Sequence, residues 1–351
     1  MGLNEKSESW EEHQLSLKDD RIADKVRNKK IIFLDMMVWI DLAEEQSTLA
    51  RSVKSQLIDL TRGGKVICPL IDAILLELRK QKHNSMMRVA ELMEELSLSV
   101  CFAKREEIFD REILQFMTDF FAGKESRLDP SDLFVPIAAY LSSRGSLSFP
   151  PGWRSDEKDA YANRFREKLV SQTLTELLEL TKNSPSPCDA RPIPEYSKAW
   201  KDRWQMTGGN KKKMRRIEEE YIANSVVIPK LNMMRSRLPI PQQLAFVHYV
   251  KSLPKDEYGG TMKTILRRLP SIKNFIDVMT ISGMDPNRKG SVNDFVDIDI
   301  LAVPLAYSDA FVSFDRWIRS MLTTRGTLID PGKCEFVSSM EMFSQYLSGL
   351  D

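Results

Sequence analysis

Five aspartates lie among mostly apolar residues in the segment 293–315: Asp294, Asp297, Asp299, Asp309 and Asp315. A core segment rarely collects so many acids, because a buried carboxylate without a partner costs a large free energy of desolvation. Basic partners or a divalent cation bound by oxygen ligands would offset that cost. The segment therefore predicts either ion pairs or a metal site.

The spacing within this segment predicts a helix, a turn and a short buried strand. Asp294 and Asp297 stand three residues apart and so share one helix face, while Pro304 should kink or end the helix. The apolar run 310–314 is typical of a strand buried on both faces. Asp315 follows it, and sites in open parallel sheets form beyond the carboxyl ends of the strands. Asp315 is therefore placed where a ligand would bind.

A similar arrangement occurs near the start of the chain. The apolar run 30–34 predicts a first, central strand that is followed directly by Asp35. Residues 65–69 predict a second strand, and the helix after it carries Glu77. Two further short strands are expected at 97–102 and at 334–337, the latter at an edge. The pattern indicates an α/β protein with a parallel sheet.

The middle of the chain has a different character, with Ser-, Pro- and Gly-rich breaks between long helical patterns over 155–182 and 198–224. We interpret residues 122–290 as an α-helical insertion and residues 1–29 as an N-terminal segment. The ranges 30–121 and 291–351 would then form the α/β domain.

Composition limits the possible function classes. The 351 residues carry a net charge of +1, so a nucleic-acid surface would have to be local. Only three histidines are present, which makes carboxylates the better candidates for chemistry. The four cysteines have no paired spacing and indicate neither a zinc site nor a disulfide framework. We expect no signal peptide, no membrane span and a cytoplasmic location.

Four acidic motifs in this order resemble the PIN domain, a family of metal-dependent nucleases. Leu34-Asp35 with Val38-Trp39-Ile40 matches the first motif, and Leu75-Leu76-Glu77-Leu78 matches the second. Asp297 and Asp315 match the third and fourth and stand 18 residues apart, which is usual for the family. The resemblance covers roughly residues 30–121 and 291–340.

Four features complete or modify the resemblance. Tyr307-Ser308-Asp309 resembles a Tyr-Cys-Asp element of some PIN-like branches, so Asp309 is a further candidate. Ser313-Phe314-Asp315 replaces the commoner Thr-Asn-Asp, and Asp294 or Asp299 could take the place of Asp297. The helical middle is far longer than in a compact PIN domain.

The resemblance implies a short parallel sheet flanked by helices and a nuclease site that binds Mg²⁺ or Mn²⁺. Asp35 and Asp315 would be the principal metal ligands. Asp297 would hold a second ion or orient water, and Glu77 would bind metal directly or through water. Asp309 and Asp294 are additional candidate ligands. The substrate would be nucleic acid, RNA in preference to DNA, and an inhibitory or activating protein partner would fit the same interpretation.

Two other functions remain open from the sequence. The chain could be a PIN-like binding module without catalysis, which acts through a protein or nucleic-acid partner and exposes an apolar patch on the insertion. It could also be a metal-dependent phosphohydrolase acting on a small nucleotide, with a closed pocket.

Each candidate acid also has a structural interpretation. Asp35 could cap the helix that follows it, and Asp309 could be a turn residue. Glu77 could pair with neighbouring basic residues at the surface. Asp297 and Asp299 could be solvated residues of a first helical turn.

The basic run Lys211, Lys212, Lys213, Arg215 and Arg216 could bind a phosphate backbone. However, Arg215 can pair with Glu219, and Arg216 with Glu220, across one helical turn. A solvated helix is the favoured interpretation of this run.

Overall fold

The computed structural model describes residues 11–14, 20–137, 146–149, 152–181, 202, 205–255, 261–284, 292–323 and 333–350. The strands in chain order are β1 Glu11–Gln14, β2 Lys30–Leu34, β3 Val66–Ile67, β4 Val100–Phe102, β5 Phe134–Pro136, β6 Ser146–Phe149, β7 Ala310–Val312 and β8 Glu335–Val337.

The described helices before residue 182 are α1 Asp20–Val26, α2 Met36–Ala43, α3 Thr48–Arg62, α4 Asp72–Leu78, α5 His83–Ser97, α6 Arg105–Ala122, α7 Pro130–Leu133, α8 Ser155–Ser171 and α9 Leu174–Thr181. Those after it are α10 Lys211–Ile222, α11 Ile228–Ser236, α12 Ile240–Ser252, α13 Met262–Leu266, α14 Pro270–Met284, α15 Val292–Ala302, α16 Pro304–Tyr307, α17 Arg316–Thr323 and α18 Met340–Ser348. A π-helical turn, Ala223–Val227, joins α10 to α11.

Four strands form a parallel sheet in the order β3-β2-β7-β8. The central strand β2 pairs with β7 so that Leu34 lies opposite Val312, and β8 forms an edge. The predicted α/β class, the central first strand and the last edge strand are therefore confirmed. All four strands end on the same side of the sheet, which brings their carboxyl ends together.

The apolar side chains of the strands themselves form the core that stabilises the sheet. Ile32, Phe33 and Leu34 are fully buried, as are the three residues of β7. The rings of Phe33 and Phe311 stack across the two strands with centroids 5.3 Å apart. Burial of each such side chain contributes roughly 1.5–3 kcal/mol, which favours this register.

The strand expected at 97–102 is present as β4, but it belongs to a separate two-stranded antiparallel sheet with β5. A single parallel bridge between Leu70 and Cys101 connects it to the chain after β3. β1 and β6 form another antiparallel pair.

A second hydrophobic core lies among the helices of the middle. Phe116 of α6, Ile222 of α10, Phe246 of α12 and Ile276 of α14 are among its buried residues. However, α6 and α14 also supply residues to the main core. The boundary expected at residue 122 therefore falls after a helix that already belongs to both cores.

Two long helices expected in the middle are interrupted. The pattern over 155–182 is split into α8 and α9. The pattern over 198–224 is interrupted after residue 207, where Gly208 and Gly209 adopt positive φ angles of 58° and 74°. The helix resumes at Lys211, where the Asn210 side chain caps α10. Within the described ranges, no helix is both long and apolar enough to cross a bilayer.

Candidate acidic site

Asp35 follows β2 directly, at the carboxyl edge of the sheet. Its backbone N–H donates to the carbonyl of Val312, which keeps it in line with β7. Its Oδ1 accepts a hydrogen bond of 2.7 Å from the Met36 amide, so Asp35 caps α2 as one interpretation predicted. Burial raises the pKa of this carboxyl, and the charge of Asp315 raises it further.

Ser313 connects the two strand-end aspartates. Its buried hydroxyl donates to Oδ2 of Asp35 over 2.6 Å and accepts from the Asp315 amide over 3.2 Å. In the sequence, Ser313 stands out only as a departure from the Thr-Asn-Asp pattern. The retained hydroxyl at that position was the signal for its role.

Asp315 stands three residues beyond the end of β7 and begins the turn into α17. Its Oδ1 accepts from the amides of Trp317 and Ile318 over 2.7 and 2.9 Å. Asp35 and Asp315 thus have a similar local role, in which an aspartate after a strand caps the next helix.

Glu77 lies on α4 and is mostly buried. Burial raises its pKa to about 7, and the charges of Asp35, Asp297 and Asp315 raise it in the same direction while Lys80 opposes them. The three aspartates are therefore close enough to Glu77 to influence its ionisation. Pairing with a surface lysine, the alternative interpretation of Glu77, does not outweigh this repulsion.

Asp297 is half-buried on α15, the helix that packs against α4. The charge of Asp297 raises the pKa of Glu77 on that neighbouring helix. Asp294 belongs to the same helix, but its side chain lies outside the described residues.

Asp309 stands apart from these acids, which corrects its assignment as a metal ligand. It precedes β7, and its carboxylate accepts from Lys30 Nζ and from the Ile31 amide, each over 2.9 Å. Since Ile31 is four residues before Asp35 along an extended strand, the two sites are roughly 13 Å apart. Asp309 joins the amino ends of β2 and β7.

Asp299 faces a different partner, the guanidinium of Arg105. Burial raises its pKa to about 7 against the opposing charge of Arg105, and Asp72 and Glu106 add to the rise. Asp299 is thus neither a solvated first-turn residue nor coupled to Glu77 in the way that Asp297 is.

The basic run forms the start of α10, and its arginines are paired. Arg215 binds Glu219 over 2.9 Å and the fully buried Asp277 over 3.0 Å, while Arg216 binds Glu220 over 2.7 Å. Lys211, Lys212 and Lys213 are exposed. The i, i+4 pairing expected from the sequence is confirmed. Arg215 also forms an ion pair with a buried residue of the interior.

The four acids fit a hard cation in chemistry but do not form a ready-made cage. Carboxylate oxygens are the ligands that Mg²⁺ and Mn²⁺ prefer. Yet among the residues described, no three His, Cys, Asp or Glu side chains are arranged to hold a metal ion. Mg²⁺ does not require such a cage, since it keeps several waters and is commonly held by one or two carboxylates together with substrate phosphates.

Comparison of the chain with protein-family models, with curated proteins and with solved structures gives no match.

Proposed function

We propose that this protein is a PIN-like nuclease that depends on Mg²⁺ or Mn²⁺ and hydrolyses phosphodiester bonds, with RNA as the substrate. The observation that carries the proposal is the pair of aspartates that follow the neighbouring parallel strands β2 and β7, Asp35 and Asp315, with the Ser313 hydroxyl hydrogen-bonded to both. Burial raises the pKa of Glu77, and the charges of Asp35, Asp297 and Asp315 add to this rise. Asp35 and Asp315 lie at the carboxyl edge of the parallel sheet, and Glu77 and Asp297 lie on two helices that pack against each other. Such an arrangement is unfavourable unless protons or a cation reduce the repulsion.

In this proposal Asp35 and Asp315 would hold the metal, with Glu77 and Asp297 as direct or water-mediated ligands. A bound divalent cation would supply an activated water and neutralise charge on the phosphoryl oxygens. Ser313 fixes the orientation of Asp35 through its hydrogen bond. The two helix caps hold Asp35 and Asp315 in place before any ligand arrives.

The test is cleavage of a labelled single-stranded RNA in the presence of Mn²⁺ or Mg²⁺, with wild type compared with Asp35→Asn and Asp315→Asn. Asparagine still accepts the helix-cap hydrogen bonds, so the substitutions remove charge with little change in fold. We expect metal-dependent cleavage that falls at least about 100-fold in both variants.

Asp309→Asn is the matched control, because it neutralises an aspartate of the same segment at the opposite end of β7. It should retain cleavage. Equal cleavage by wild type and Asp35→Asn would contradict the proposal, as would cleavage that persists in a chelator.

A second candidate, a binding module, is favoured by a specific feature of the middle helices. Ile240 and Leu244 lie one turn apart on α12 and are 71% and 57% exposed. Met233 of α11 and Tyr221 of α10 are also exposed. Large apolar side chains at the surface of a helical unit are typical of protein-binding surfaces.

One double variant distinguishes the two candidate functions. Ile240→Ser with Leu244→Ser should leave RNA cleavage unchanged if the nuclease interpretation holds. If the protein acts only through a partner, wild type shows no cleavage of the RNA with either metal.

A further inference from the structure

Arg105, the first residue of α6, contacts two other helices near the acidic site. Its guanidinium binds Asp299 of α15 and, over 2.6 Å, Glu106 of its own helix. The same group lies 4.6 Å from the centre of the Phe275 ring on α14 and 5.9 Å from that of Phe109. Its side chain is 23% exposed, so these contacts are only partly screened by water.

The geometry of α15 links this contact to the acidic site. Each residue turns an α-helix by 100°, so Asp297 and Asp299 point to nearly opposite sides of α15. α15, which carries Asp297, packs against α4, which carries Glu77, and the charge of Asp297 acts on Glu77. Asp299 forms its ion pair with Arg105. A rotation of α15 that separated Asp299 from Arg105 would also turn Asp297 away from Glu77.

The chemistry of arginine suits this contact. The planar guanidinium can form a charge-assisted hydrogen bond along its edge while an aromatic ring covers its face. Lysine could supply the charge but neither the fork of donors nor the stacking. Arg105 thereby joins α14, α15 and the start of α6 at one point.

We propose that Arg105 is a positioning residue of the acidic site, which acts through Asp299 to fix the rotation of α15 and keep Asp297 beside Glu77. The inference rests on the proposed function for its consequence, the binding of the divalent cation. It assigns a role to an ion pair that lies outside the set of metal ligands.

The experiment measures Mn²⁺ binding to the full-length protein by electron paramagnetic resonance, without substrate. Outer residues that orient ligands commonly contribute 10- to 100-fold to metal affinity, so we expect Arg105→Ala to weaken binding by roughly that factor. Arg105→Lys should lose less. Arg62→Ala breaks an exposed ion pair with Glu95 elsewhere in the domain and should leave the affinity unchanged.

A double-mutant cycle separates positioning from general destabilisation. If Arg105 acts through Asp297, Arg105→Ala should add little further loss of Mn²⁺ affinity in an Asp297→Asn background. Equal losses in both backgrounds would overturn the inference.

Hydrogen exchange makes the inference testable even if the proposed function fails. Should wild type bind no Mn²⁺, Arg105→Ala must still accelerate exchange in α15 selectively, relative to α3 and α18. Selective acceleration would support the positioning role while the metal site is rejected. Unchanged exchange in α15 would overturn the role itself.

Discussion

At the scale of single residues, two aspartates both cap a helix and contribute a carboxylate to the acidic site. Asp35 and Asp315 each follow a strand and cap the next helix, so their carboxylates are oriented by backbone amides. Glu77 has no such helix-capping role, and its pKa of about 7 reflects burial together with the charges of its neighbours. The ionisation of Glu77 is therefore the property most sensitive to the other acids.

This property predicts a pH-dependent effect of Glu77→Gln on stability in the absence of metal. The folded-state pKa lies above the ordinary value of 4.5. Below pH 4.5 the carboxyl is protonated in both states, so its ionisation does not reduce the free energy of unfolding. Stability is then lost as pH rises through about 7. The shift corresponds to roughly 3 kcal/mol.

We therefore expect Glu77→Gln to increase the free energy of unfolding at pH 8 and to leave it nearly unchanged at pH 4, as measured by urea denaturation. Glu91→Gln, at an exposed site on α5, is the control and should have little effect at either pH. A gain of equal size at both pH values would contradict the assigned charge repulsion.

At the scale of elements, the helices of the middle are joined by buried charges as well as by apolar contacts. Asp277 of α14 is fully buried and is bound by Arg215 of α10 and by Lys273, each over 3.0 Å. Burial raises the pKa of Asp277 in spite of these cations. The basic run is thus partly a structural connection between α10 and α14.

Arg215→Ala should therefore destabilise the protein by about 2–4 kcal/mol, because it leaves the buried Asp277 with one cation fewer. Arg216→Ala is the matched control on the same helix. It removes an exposed pair with Glu220, and such pairs contribute about 0.5 kcal/mol. Thermal or chemical unfolding measures both, and equal small losses would contradict the buried connection.

At the scale of the whole molecule, two cores are connected by shared helices. Ile108 of α6 belongs to the main core, whereas Phe116, two turns later, belongs to the second. α14 is shared in the same way, with Ile272 in the second core and Val278 in the main one. Loss of packing in the middle helices should therefore reach the sheet.

Phe116→Ala tests this connection. Truncation of a buried phenylalanine costs about 3–5 kcal/mol, and if the two cores unfold together, exchange of the β2 amides should accelerate by roughly 100-fold or more. Leu114→Ala, at a half-exposed site on the same helix, should change stability by less than about 1 kcal/mol. Fast exchange confined to the middle helices would show instead that the cores unfold separately.

The sequence by itself determined the strands and the acids that follow them. Apolar runs such as 30–34 and 310–312 can only be satisfied by burial, and an aspartate at the end of such a run stands at the sheet edge in any parallel arrangement. The helix break before Pro304 and the i, i+4 pairs of α10 are local in the same sense.

Only the tertiary structure decided which acids meet. Asp309 and Asp315 flank the same strand, but strand register and length place them at opposite ends of it. Asp297 and Asp299 are two positions apart on α15. The charge of Asp297 acts on Glu77, whereas Asp299 pairs with Arg105. Contacts between residues far apart in the chain decide which acids and bases become partners. The local spacing of residues in the sequence does not predict these contacts.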